Sequence, residues 1–179
     1  MTLHVGLGTF RPVSVPVISQ HIMHHEKIIV GVEAIRSLLK RDKHPIVAVG
    51  TTSVRTLESL YWLGVKLIKS PSGHPVVGQW EPYPDEPMND ISTEDALKAL
   101  LVYLERNRLD HYSGYTQLMI LPGYKFRLTD VLITNFHMPQ STLLMLVAAF
   151  IGDKWKRAYE YALEKDFRFL SYGDACLFF

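Results

Sequence analysis

Apolar and polar positions along the chain recur at two periods, and these divide it into strands and helices. Leu3, Val5 and Leu7 alternate with His4, Gly6 and Gly8, which predicts a strand over 3–8 whose glycines let another group approach the backbone. Thr9 to Pro12 then turn into the apolar stretch Val13 to Ile18. Ile28 to Val30 predict a short strand. Val32, Ile35, Leu38 and Leu39 follow at helical spacing, before the basic run Lys40-Arg41-Asp42-Lys43 that suits a helix C-terminus. Ile46 to Val49 predict a buried strand ending at Gly50. Thr51-Thr52-Ser53 can cap a helix with Val54, Leu57 and Tyr61 as its inner stripe and Gly64 as its terminator. Val65 to Ile68 read as the next strand. That completes a β-α-β unit and predicts an α/β fold with a mostly parallel sheet and helices packed on it.

Residues 70–91 differ in kind. Five of the ten prolines lie between Pro71 and Pro87, which forbids a helix or a central strand and predicts a long loop or an edge hairpin. Ser92 can cap a helix whose Ala96, Leu97, Leu100, Leu101 and Leu104 face inward and which Asn107 closes. Leu118 to Ile151 contain two strand candidates, the Pro122-Gly123 turn, the polar segment Thr134-Asn135-Phe136-His137, and a helix started by Ser141 that is apolar nearly all round. Gly152 ends that helix. Asp153 caps another, with Trp155, Tyr159, Ala162 and Leu163 facing inward and Lys154, Lys156, Arg157 and Lys165 facing water. Phe167 to Leu170 alternate as a last strand, and Ser171 to Asp174 turn into an apolar tail.

Composition narrows the functional classes. With 179 residues the simplest expectation is one domain with a sizeable core. A net charge of +1 gives no global case for nucleic acid, although a local basic face needs only clustering. The single Cys176 excludes an intrachain disulfide and fits a reducing compartment. The longest apolar run, Leu143 to Ile151, is far below the ~20 residues of a membrane helix, and no secretory signal is visible. The expectation is a cytoplasmic protein. Entry straight into a strand at Leu3 is expected of a piece of a longer chain.

Three constellations can carry chemistry. Gly50 to Arg55 lie on a strand-turn-helix, where backbone N–H groups, hydroxyls and the helix dipole suit an anion, although Arg55 paired to Glu58 and a simple Thr/Ser cap explain it equally. His21, His24 and Glu26 suit proton transfer or polar substrate contacts. The His21–His24 spacing also admits a metal, but a second cysteine and the H-E-x-x-H pattern are absent, so none is expected. Thr134 to His137 combine an amide, a ring and an imidazole ahead of a helix start, suited to reading and stacking a base, or to internal satisfaction alone. Asp174 follows Gly173 in a turn.

Taken together, six segments resemble the S-adenosylmethionine:tRNA ribosyltransferase-isomerase family of the queuosine pathway. They are LHVGLGTFRPV (3–13), H-x-M-H-x-E (His21 to Glu26), VGTTSVRTLES (49–59), ILPGYKF (120–126), LITNFHMPQSTLLMLVAAF (132–150) and FRFLSYGDA (167–175). They occur in the family's order nearly from end to end. Loop 70–91 and the second histidine of His24-His25 have no counterpart in that pattern.

The resemblance implies the carboxyl-terminal part of a larger, barrel-like α/β domain, without the family's amino-terminal part and small β-barrel domain. It implies transfer and isomerisation of the ribosyl unit of S-adenosylmethionine onto 7-aminomethyl-7-deazaguanine in tRNA, giving epoxyqueuosine and releasing adenine and methionine. S-adenosylmethionine is then co-substrate, with no metal or further cofactor, no membrane partner, and a monomer as the simplest state. His21, His24 or Glu26 would supply the base. Thr51, Thr52, Ser53 and Arg55 would hold carboxylate or ribose oxygens, Asn135 and His137 would contact adenine or the deazaguanine, and Asp174 would offset positive charge. A non-catalytic module that binds S-adenosylmethionine or RNA, and a metal-dependent hydrolase built on the histidines, are the competing expectations.

Overall fold

A computed structural model of the chain describes residues 1–4, 13–71, 73–84 and 90–179. The elements follow in the order β1 (Thr2–His4), β2 (Glu26–Gly31), α1 (Val32–Leu39), β3 (Val47–Val49), α2 (Thr51–Lys69), α3 (Thr93–Arg106), β4 (His111–Thr116), β5 (Val131–Asn135), α4 (Thr142–Ile151), α5 (Lys154–Glu164) and β6 (Ala175–Phe178).

Helix α2 has 15 of its 19 residues buried and packs chiefly on α3, with β3 and β4 also against it. A helix surrounded in this way must find partners for its polar side chains inside the protein. The Ser59 hydroxyl lies 2.6 Å from the Arg55 carbonyl, to which it donates, and 2.7 Å from Thr116 Oγ1, while Thr56 donates to the Thr52 carbonyl. Gly64 does not end the helix. A side chain there would run into the Ala96 backbone of α3, so this glycine marks the closest approach of two helices. Val65 to Ile68, expected as a strand, are therefore the last turns of α2.

That change removes the β-α-β unit and with it the mostly parallel sheet. The first sheet, β1-β2-β4, is antiparallel throughout. The second, β3-β5-β6, pairs β3 with β5 in parallel and β5 with β6 antiparallel. The fold is a mixed α/β arrangement of two small sheets, five α-helices and one 3-10 turn (Ile18–Gln20) among the described residues. Strand β4 carried no clear apolar alternation, and β6 arises from the expected tail. Phe167 and Phe169, expected in a strand, instead pack their rings 5.6 and 5.4 Å from that of Phe136.

Local signals fare better where they are caps. Ser92 accepts from the Asp95 N–H and Ser141 from the Leu144 N–H, starting α3 and α4. Asp153 gives α5 no side-chain cap and pairs instead with Lys156. Helix α4 buries only Thr142, Leu143, Leu146 and Val147, and Leu163 of α5 is exposed. The expected buried strand at 46–49 buries only Ala48, leaving Val47 and Val49 exposed, as is Leu177 two strands away. Of the strand expected at 3–8, Leu3 and His4 lie in β1 and the remainder is outside the described residues, as are 72 and 85–89 of the loop. No described helix is long and apolar enough to cross a membrane.

Candidate functional site

Strands β3 and β5 run side by side in register, Val47 opposite Val131 and Val49 opposite Ile133. Their carboxyl ends therefore deliver two strand-to-helix junctions to one place. At the first, Gly50 turns with a φ of +85°, a conformation that favours glycine, and its N–H donates to the Ile133 carbonyl at 2.7 Å. Helix α2 begins at the next residue with no side-chain cap. At the second, the chain leaves β5 through Asn135, Phe136 and His137. Between them lies a cleft of about 210 Å³ lined by Thr51, Thr52, Ser53, Thr134, Asn135 and His137, with Leu3, Leu143, Leu170 and Ser171 closing it. Small-molecule pockets usually hold about 300 Å³ or more, so this wall accommodates part of a nucleoside-sized ligand.

Two hydroxyls of the first wall are committed as donors within the protein. Ser53 donates to the Val49 carbonyl at 2.6 Å and Thr52 to Glu26 Oε1 at 3.3 Å. Their oxygens are left with lone pairs for a ligand, which favours a donor or a cation, while the first turn of α2 contributes backbone donors and the positive end of its dipole.

On the second wall, His137 Nε2 lies 3.0 Å from Thr134 Oγ1, and the His137 N–H donates to the Tyr159 hydroxyl at 3.0 Å. Burial lowers the His137 pKa from 6.5 to about 4, so the imidazole is neutral at physiological pH. Its folded pKa lies below its unfolded one, so the unfolded chain takes up the proton first as pH falls. Stability is therefore full above pH 6.5 and declines toward pH 4, by about 3 kcal/mol from this group. Urea unfolding of the wild type between pH 6.5 and 4 is expected to show this slope and His137→Gln to flatten it. An equal slope in both would remove His137 as its source.

Behind the first wall, Glu26 and Arg55 form a buried ion pair, 0% and 2% exposed. Arg55 Nη1 donates to Glu26 Oε2 at 2.8 Å and Nε to the Leu118 carbonyl at 3.1 Å, while Nη2 is buried with no hydrogen-bond partner among the described residues. His24 Nε2 lies 3.1 Å from Glu26 Oε1. The structure thus joins the His24/Glu26 constellation to the Thr52/Arg55 one through a single carboxylate. Arg55 does not line the cleft, and it pairs with Glu26 rather than Glu58.

Gln79 and Gln117, which carried no signal in the sequence, clamp the histidine segment. Gln79 accepts from the Met23 N–H and donates to the His21 carbonyl, and Gln117 donates to the Met23 carbonyl. Burial, and then the neighbouring His24, lower the His21 pKa. Among the described residues no group of three histidine, cysteine or carboxylate side chains is placed to hold a metal ion.

Asn135 lines the cleft and donates its amide to the carbonyls of Gly173 and Asp174. Asp174 stands outside the lining. Its carboxylate accepts from the backbone N–H and the guanidinium of Arg168, and those bonds hold it below the usual carboxylate range.

A family described as queuosine biosynthesis protein matches residues 1–178. The chain is 41% identical to an S-adenosylmethionine:tRNA ribosyltransferase-isomerase of Thermoanaerobacter sp. (strain X514), a match covering 99% of this chain and 40% of that protein. It is 39% identical to the enzyme of the same name from Thermosipho melanesiensis, over 100% and 42%. Among solved structures, an S-adenosylmethionine tRNA ribosyltransferase from Thermotoga maritima is similar at a TM-score of 0.55 and 35% identity, covering 85% of this chain and 40% of that one. The chain spans about two fifths of the length of these relatives.

Proposed function

The chain belongs to the queuosine biosynthesis protein family, and from that premise we propose that it is the carboxyl-terminal part of the large α/β domain of an S-adenosylmethionine:tRNA ribosyltransferase-isomerase. The reaction is transfer and isomerisation of the ribosyl unit of S-adenosylmethionine onto 7-aminomethyl-7-deazaguanine in tRNA, yielding epoxyqueuosine with loss of adenine and methionine. The observation that carries this reading is the cleft at the paired ends of β3 and β5, the place where α/β folds take ligands.

In this reading the lone pairs of Thr52 and Ser53 face the sulfonium or ribose hydroxyls. Asn135 and neutral His137 contact adenine or the deazaguanine. His24, which stands outside the lining and shares Glu26 with Thr52 of the first wall, is the base that removes the proton beside the sulfonium, in the way a carboxylate orients a catalytic imidazole elsewhere. Glu26 and Arg55 act from behind the wall, and Asp174 shapes the turn beside it. The open face of Val47, Val49 and Leu177 is where further chain would complete a barrel-like domain and the rest of the site. No cofactor beyond S-adenosylmethionine is required, and the chain alone is expected to bind without turnover.

The test uses full-length protein. His24→Ala should lower adenine release with the modified tRNA by about 10²-fold or more, with S-adenosylmethionine affinity by calorimetry nearly unchanged. Undiminished release would remove His24 from the chemistry. Binding by the full-length wild type with no release at all would favour a non-catalytic module.

A further inference from the structure

We propose that Tyr172 is a stacking platform for a nucleobase at the mouth of the cleft, an inference that rests on the ribosyltransferase reading for its RNA substrate. Tyr172 is 98% exposed. It occupies a corner of the turn 170–173, closed by the Gly173 N–H donating to the Leu170 carbonyl at 2.9 Å. The residues on both sides of it belong to the site: Leu170 and Ser171 line the cleft, and Gly173 and Asp174 accept from the Asn135 amide.

The turn is held firmly for a segment that buries so little. Leu170 sits at a φ of +68°, which disfavours a residue with a side chain, and a side chain at Gly173 would run into the carbonyls of Arg168 and Phe169. Arg168 and Asp174 clasp its base through four hydrogen bonds, and the Leu170 N–H donates to the Phe136 carbonyl at 2.9 Å. Conformational strain of this kind is retained where the rest of the turn over-determines it. Its product here is an aromatic ring standing in solvent on the turn whose Leu170 and Ser171 line the cleft. A ring carried on a backbone held in advance has only its own two torsions to order when a base stacks on it, and a π face accepts any base.

The test is binding of an anticodon stem-loop RNA carrying 7-aminomethyl-7-deazaguanine to full-length protein. Tyr172→Ala should weaken it about tenfold and Tyr172→Phe by less than about twofold, with S-adenosylmethionine affinity unchanged in both. The Tyr172→Ala loss should vanish with an RNA that is abasic at the modified position. RNA binding and adenine release that Tyr172→Ala leaves at wild-type levels overturn this inference alone, and so does an equal loss with the abasic RNA. A wild type that binds neither S-adenosylmethionine nor the RNA overturns the ribosyltransferase reading as well. Because the ring is exposed, the unfolding midpoint of Tyr172→Ala should match the wild type. A lowered midpoint would assign Tyr172 to the fold instead.

Discussion

Glu58→Ala is expected to destabilise the chain by about 4 kcal/mol, enough to leave little folded protein at a typical domain stability. The Glu58 carboxylate is fully buried and accepts from five donors: the N–H groups of Arg127, Leu128 and Thr129, the Thr129 hydroxyl and the Tyr124 hydroxyl, all between 2.9 and 3.1 Å. Each of those donors, if orphaned, costs on the order of 1–3 kcal/mol. Water entering the vacated space recovers part of this, which keeps the expected loss below the sum. Glu58→Gln retains one accepting oxygen and turns the other end into a donor facing donors, so about half the loss is expected. Urea unfolding reads both as midpoint shifts at unchanged slope. A shift below about 1 kcal/mol for the alanine variant would mean that the 124–129 segment does not depend on this carboxylate. The segment leads directly into β5, so Glu58 also fixes the strand that carries Thr134 and Asn135 to the cleft.

The part played by Glu58 was hidden in the sequence for a physical reason. It lies three residues after Arg55, and that spacing reads as a surface ion pair on one helix face. Whether such a face is solvated depends on what packs against it, which local periodicity does not encode. The same holds for Gly64, whose usual meaning at a helix end gave way to close packing on Ala96. The caps at Ser92 and Ser141 were legible because their chemistry is local, each satisfying an N–H three residues away, whereas Asp153 and Thr51 to Ser53 give no side-chain cap. The cleft was half legible. Polar residues at the ends of two strands marked two junctions, but their meeting required the pairing of β3 with β5, and the second sheet's other neighbour, β6, came from an apolar tail with no distinctive pattern. Gln79 and Gln117 gave no signal at all, because a glutamine that clamps a backbone looks like any other in a loop.

Glu26→Ala is expected to cost about 3–5 kcal/mol, most of it from the guanidinium left behind rather than from the lost contact. Arg55 is 2% exposed and already has one buried nitrogen with no partner among the described residues. Burial pushes its pKa down and Glu26 is what opposes that. Removing the carboxylate leaves a buried cation that, among the described residues, keeps the Leu118 carbonyl and the neighbouring His24. Arg55→Met removes the charge while keeping an unbranched apolar chain, so Glu26→Ala combined with Arg55→Met should be more stable than Glu26→Ala alone. The losses should fall short of additivity by roughly 2 kcal/mol in a double-mutant cycle. Additive losses would mean that the pair does not govern this corner of the core. The cycle also separates structure from function, because the double variant restores packing without restoring the acceptor for Thr52 or the partner of His24. If the cleft works as proposed, that variant in full-length protein regains stability and stays inactive.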